Sequence, residues 1–187
     1  MNTVQPIRDW DKIQYILEYL RKTNERNYIL FLMGISTGLR IQDILKLRVR
    51  DLKGRTHIIM RENKTKKEKR MLILPSLKKE LEWYLADKDE DDFLIKSRVG
   101  MNRPITRGMA YKILQKIAKE FQLKELGCHS MRKSFGYHFY QRTKDVALLQ
   151  KIFNHNDQNV TLLYIGVSQD HMDNTLRKFD YMMQQRQ

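Results

Sequence analysis

Residues 56–74 read Thr56-His57-Ile58-Ile59-Met60-Arg61-Glu62-Asn63-Lys64-Thr65-Lys66-Lys67-Glu68-Lys69-Arg70-Met71-Leu72-Ile73-Leu74. Two short runs of β-branched and large apolar residues, Thr56–Met60 and Arg70–Leu74, flank a charged tip, the pattern of an antiparallel hairpin. Pro75-Ser76 stops the second run and starts a helix that continues through Trp83 and Leu85. On both sides of this hairpin the apolar spacing is helical. The chain therefore reads as mainly α with a small antiparallel β-sheet, an α+β fold.

Upstream, Ile13, Ile16, Leu17 and Leu20 recur at helical spacing, and a second apolar helix is expected from about Glu25 to Ser36, ending at Gly38. Arg40 opens Arg40-Ile41-Gln42-Asp43-Ile44-Leu45-Lys46-Leu47, with Ile41, Ile44, Leu45 and Leu47 as its buried face. Arg40 and Asp43 are three apart and can meet on one helical face, either as a surface ion pair or with Asp43 fixing the arginine fork. Downstream of the hairpin, the acidic stretch Asp87 to Asp92 reads as a solvated loop and Phe93-Leu94-Ile95 as a short third strand. Thr106 caps a helix carrying Ile113, Leu114, Ile117 and Ala118. Further helices are expected around His129–Gln141, Val146–Phe153, Asn159–Ile165 and Asp170–Phe179. No internal repeat, low-complexity linker or domain boundary breaks the chain, so residues 1–187 read as one domain.

Lysine and arginine total 36 against 22 acidic residues in 187, a net charge of +14. A charge of that size on a folded domain favours a polyanionic partner, nucleic acid before an anionic membrane surface. Cys128 is the only cysteine, which excludes an internal disulfide and fits a reducing cytoplasm. It reads as semi-buried filler rather than a catalytic thiol. The first residues show no basic start followed by an apolar run, and Tyr28–Ile35 is far short of the roughly 20 residues that cross a bilayer. The expectation is a cytoplasmic protein that makes no use of a membrane.

The residues suited to chemistry lie in the second half. His129 and Arg132 stand one helical turn apart in His129-Ser130-Met131-Arg132, a pair that by itself is common on helix surfaces. His155 and Tyr164 are nine residues apart, on opposite sides of any continuous helix. Asn156-Asp157-Gln158-Asn159 between them supplies a break and a new cap, and such a turn folds both toward one site.

Taken in order, Thr37-Gly38-Leu39-Arg40, the lysine of Asn63-Lys64-Thr65-Lys66, His129-Ser130-Met131-Arg132, Phe153-Asn154-His155 and Thr161-Leu162-Leu163-Tyr164 resemble the catalytic domain of the tyrosine recombinase (phage integrase) family. The resemblance spans nearly the whole chain and keeps the family's His-to-Tyr spacing. It implies that Tyr164 attacks the scissile phosphorus, leaving a 3′-phosphotyrosyl link and a free 5′-hydroxyl. Arg40 and Arg132 would bind the non-bridging oxygens, Lys64 would be the general acid, His129 would assist proton transfer and His155 would hydrogen-bond the phosphate. The implied partner is double-stranded DNA, with no cofactor and no metal.

The chain departs from the family in two ways. Phe153-Asn154 stands where Leu-Gly is usual, and Asn is among the few residues that adopt left-handed backbone angles. The chain also reads as a single catalytic domain without the usual N-terminal core-binding helical domain. Phosphate contacts are expected from the hairpin, at Lys66, Lys67, Lys69 and Arg70, and from Arg103, Arg107 and Lys112 around the Thr106 helix start, with Lys133 as a further contact. The segment Ser168 to Phe179 resembles the family element that joins neighbouring protomers in a tetrameric synapse. Two other readings share the scaffold: a non-catalytic DNA-binding regulator, and a type IB topoisomerase-like relaxation of DNA.

Overall fold

A computed structural model describes residues 4–61 and 68–167, together with 173, 174, 176, 177, 179 and 180. Lys64, Lys66 and Lys67, and most of the segment Ser168 to Phe179, lie outside the described residues. The chain order is α1 (Trp10–Thr23), α2 (Glu25–Thr37), α3 (Ile41–Ile44), a 3-10 turn at Val49–Asp51, β1 (His57–Arg61), β2 (Glu68–Leu72), α4 (Pro75–Leu85), α5 (Arg107–Glu120), α6 (Ser130–Thr143), α7 (Val146–Phe153) and α8 (Gln158–Ile165). The fold is mainly helical with one small antiparallel sheet.

Helix α2 is the axis of the main core. Every residue from Tyr28 to Ile35 is buried, so no amphipathic stripe remains and neighbours pack around it: α1, α3, α4 and α6. Its approach to α6 is close because position 34 is glycine; a Cβ there would lie 2.6 Å from the Met131 sulfur. The helix starts where the Asn24 side chain accepts from the Asn27 amide at 3.0 Å, and it stops at Gly38, whose φ is 60°. That left-handed residue turns the chain just ahead of Arg40.

The sheet pairs Ile58 with Met71 and Met60 with Lys69 on one face, and Ile59 with Arg70 on the other. The first face lies against the core, where Ile58 is buried, whereas Ile59, Arg70 and Leu72 face solvent. The expected third strand at Phe93–Ile95 is not formed. Phe93 makes a single bridge to Arg48 and Lys96 one to Pro104, and the residues between them turn. Leu94 and Ile95 are consecutive and both fully buried, within the turn between the two bridges rather than in a paired strand.

A second, smaller core lies beyond α6. Leu149, Phe153, Ile165 and Val167 are its buried centre, and Phe135, Tyr137, Phe139, Tyr140, Ile152, Leu162 and Tyr164 pack around them. Gly136 lets α7 and α8 reach α6, since a Cβ there would sit 2.7 Å from both Phe153 and Ile165 side-chain atoms. The site forms along the seam between the two cores.

Candidate active site

Helix α6 carries an unusual load for a central helix: its buried residues are Ser130, Met131, Arg132, Lys133, Ser134 and Gly136. Arg132 is only 2% exposed. A buried guanidinium requires acceptors, and it has them: it donates to the Gly38 carbonyl and, at 2.9 Å, to the Phe153 carbonyl. The Phe153 ring lies 4.1 Å from its Cζ, giving it an aromatic face as well. Arg40, arriving from the Gly38 turn, reaches the same Phe153 carbonyl at 3.5 Å. Two permanent cations are thereby gathered at the end of α7. Asp43 is fully buried in the turn that follows Arg40, and its amide donates to the Arg40 carbonyl at 2.8 Å.

Helix α7 ends at Asn154, with φ 50° and ψ 46°, so asparagine takes the left-handed cap that the turn requires. The His155 amide then returns to the Gln150 carbonyl at 3.1 Å, and the Gln150 side chain holds the His155 carbonyl at 3.1 Å. The His155 Nδ1 lies 3.1 Å from the hydroxyl of Thr161, which is fully buried in α8 and donates to the Asp157 carbonyl at 3.1 Å. Asp157 caps α8 by accepting from the Asn159 and Val160 amides. This new cap reverses the chain and brings Tyr164 back beside His155, with ring centres 5.2 Å apart.

The Tyr164 hydroxyl lies 3.2 Å from His129 Nδ1. Its ring meets the edges of Phe153 at 5.6 Å and His155 at 5.2 Å. Burial pushes the Tyr164 phenol above its ordinary value, opposed by the charges of Arg132 and Arg40 and by hydrogen bonding from Arg132. Burial also lowers the His129 imidazole, reinforced by the charges of Arg107, Arg132, Lys133 and Arg40. The imidazole at the phenol is thus held neutral and able to accept a proton.

Arg40, His129, Arg132, His155 and Tyr164 converge, while Lys64 lies outside the described residues. Of the expected phosphate contacts, Arg70, Arg103, Arg107 and Lys112 are exposed, and Lys66 and Lys67 lie outside the described residues. Two expectations are corrected. Lys69, expected at a backbone phosphate, is 8% exposed and donates to the Ile152 carbonyl at 2.5 Å, because strand alternation turns it inward. Lys133 is also 8% exposed, with its Nζ 5.1 Å from the centre of the Tyr164 ring, because α6 is buried on both flanks.

Thr161 and the Phe153 carbonyl were not singled out in the sequence. A threonine four residues after an N-cap aspartate has a local signal only for back-bonding, and a backbone carbonyl has none. Arg107, expected at DNA, also bears by its charge on His129 and on the Cys128 thiol. Burial raises that thiol above its ordinary value, opposed by the charge of Arg107. Among the described residues, no group of three or more His, Cys, Asp or Glu is placed to hold a metal ion, and no helix is long and apolar enough to cross a membrane.

Residues 9–171 match the phage integrase family. The probable integrase/recombinase YoeC of Bacillus subtilis is 49% identical over 170 residues, covering 91% of this chain and 93% of that protein. The tyrosine recombinase XerA of Pyrococcus furiosus is 22% identical over 171 residues, covering 90% of this chain and 59% of that protein. A crystal structure of XerA recombinase superposes with a TM-score of 0.74 at 16% identity, over 94% of this chain and 66% of that one. XerH site-specific recombinase bound to its difH substrate gives 0.70 at 20% identity, over 88% and 51%. The chain spans nearly all of the Bacillus protein and about half to two thirds of the Xer proteins. The chain belongs to the phage integrase family, the tyrosine recombinases.

Proposed function

We propose that this chain cleaves and rejoins double-stranded DNA at specific sites, with Tyr164 as the nucleophile. The observation that carries the reading is the Tyr164 hydroxyl 3.2 Å from the His129 imidazole, in a pocket where Arg40 and Arg132 share the Phe153 carbonyl. A phenol of pKa about 10 is ionised to only about one part in a thousand at neutral pH, equivalent to roughly 4 kcal/mol against phenolate attack. Burial of Tyr164 adds to that cost, and the two guanidinium charges offset it.

In the cleavage step the Tyr164 oxygen bonds to phosphorus as its proton passes to His129. The bond from phosphorus to the 5′-oxygen breaks, and that oxygen takes a proton from Lys64. The products are a 3′-phosphotyrosyl link and a free 5′-hydroxyl, and religation is the reverse with another 5′-hydroxyl as attacker. Guanidinium forks suit the five-coordinate phosphorus because they stay charged and make paired hydrogen bonds to its oxygens. His155, its Nδ1 engaged with Thr161, presents its other ring nitrogen to the phosphate. The phosphoester energy is kept in the tyrosyl link, so no energy source is consumed. Exposed Arg70, Arg103, Arg107 and Lys112 are assigned to backbone phosphates, and the segment Ser168 to Phe179 to protomer contacts in a tetrameric synapse.

The test uses nicked suicide duplexes tiled across the DNA that flanks the gene for this chain. A covalent adduct on a denaturing gel, lost in Tyr164→Phe, is the expected result. Specific duplex binding with no adduct would favour the regulator, and adduct formation with relaxation but no strand exchange would favour the topoisomerase-like reading.

A further inference from the structure

Lys133 is a buried ammonium with no place in the scheme above. It follows Arg132 in α6, is 8% exposed, and its Nζ lies 5.1 Å from the centre of the Tyr164 ring. The N-terminal segment runs beside this part of α6. The Ile7 amide donates to the Ser134 hydroxyl at 2.7 Å, and the Ile7 carbonyl lies 2.9 Å from His138 Nε2. Arg8 lies over the Tyr137 ring at 5.6 Å and donates to the Gly166 carbonyl at 3.5 Å, at the cap that ends α8. This segment therefore ties the helix of Lys133 to the helix of Tyr164. The charge it brings near Lys133 is that of Arg8, which opposes a second cation.

We propose that Lys133 is a positioning residue for Tyr164, whose ammonium on the ring face favours the phenolate-like state through which both cleavage and religation pass. This rests on the reading of Tyr164 as nucleophile. A cation within about 6 Å of an aromatic centre is held by the ring quadrupole, more strongly when water is excluded. Loss of the phenol proton to His129 pushes negative charge into the ring, so the attraction grows. Bonding of the oxygen to phosphorus withdraws that charge again, and the attraction falls. An interaction stronger between the end states than in either of them lowers the barrier in both directions. Lys133 itself transfers no proton. The other groups around the phenol are His129 at its hydroxyl, the edges of Phe153 and His155, and the charges of Arg132 and Arg40.

Lysine and tyrosine side chains ordinarily titrate close together, at about pH 10, so the test compares variants of fixed charge. Protein labelled with 13Cζ-tyrosine, the Tyr164 signal identified by its loss in Tyr164→Phe, is titrated as Lys133→Arg and Lys133→Met. The charged variant is expected to ionise Tyr164 about tenfold more readily, a midpoint about one pH unit lower. Coincident midpoints would overturn the proposal; Lys133→Gln replaces the Met variant if that one does not fold. A second arm reads adduct formation on a suicide duplex near neutral pH, where Lys133→Met is expected to be about tenfold slower with unchanged duplex affinity and salt dependence. Weaker binding with a shallower salt slope would instead mark a phosphate contact and overturn the assignment. If the natural chain forms no adduct on any duplex, the recombinase reading fails, and the titration still decides what Lys133 does to Tyr164.

Discussion

Arg132 joins the two halves of the site. Its guanidinium spans from the Gly38 carbonyl, at the end of α2, to the Phe153 carbonyl, at the end of α7. A lysine offers one compact ammonium in place of that planar fork and cannot hold both carbonyls in the same way. Arg132→Lys is therefore expected to cost roughly 3–4 kcal/mol of barrier, a fall of about a hundredfold to a thousandfold in adduct rate. Single-turnover cleavage measures it, and a rate within threefold of the natural chain would contradict the role. The pH dependence of the same step follows from His129. With its imidazole held below the ordinary value of about 6.5, it stays neutral to lower pH, so adduct formation should persist down to that value and fall off only below it. A limb centred above pH 6.5 and removed by His129→Ala would contradict the depressed imidazole. At this scale the sequence was most informative: Arg40, His129, Arg132, His155 and Tyr164, singled out through the resemblance of their motifs to the family, lie together in the fold. Lys133 was legible as a cation but not as a buried one. Nothing in a run of Arg132-Lys133-Ser134 distinguishes the inside of a helix from its solvated face.

The turn from α7 to α8 decides whether His155 and Tyr164 meet. Asn154 in the left-handed cap and Asp157 as the next N-cap make the reversal, and Thr161 locks His155 within it. Thr161→Val keeps the shape of the side chain and removes that bond. It is expected to destabilise the fold by about 1 kcal/mol while slowing adduct formation about tenfold, since the His155 ring is then free to rotate. Thermal unfolding and single-turnover rates separate the two effects; an unchanged rate would mean that Thr161 does not orient His155. The left-handed Asn154 and the new cap within residues 156–159 were legible, as Asn and Asp have strong local preferences, and so was the Thr106 cap. The third strand failed for want of such a signal. Phe93-Leu94-Ile95 is apolar enough for a strand, but three residues carry too little periodicity to distinguish a strand from a buried turn. Of the buried residues of helix α6 only Met131 is a large apolar one, beside Ser130, Arg132, Lys133, Ser134 and Gly136, so apolar spacing does not reveal its central position.

Across the whole molecule, a main core around α2 and a smaller aromatic core around α7 and α8 are joined through α6. Tyr164 belongs to the smaller one, while Arg40 comes from the larger. This division was not legible in the sequence, because it depends on which helices share a core rather than on any one helix. The N-terminal segment also spans the join, through Ile7 to α6 and Arg8 to the end of α8. His138, which meets the Ile7 carbonyl, has its imidazole lowered chiefly by burial. The folded state therefore favours the neutral ring, and the unfolded chain takes up protons first as pH falls. The stability contributed is present above about pH 6.5 and is lost as pH drops through and below that value. The urea midpoint should fall between about pH 7 and 5, and His138→Gln should flatten that fall; an unaltered slope would contradict the assignment. The most direct test of the whole account is tryptic mass spectrometry of the denatured adduct formed on a cleaved suicide duplex. The account predicts nucleotide mass on the peptide containing Tyr164 and none in Tyr164→Phe. An adduct on any other residue, or one that survives that substitution, would contradict it.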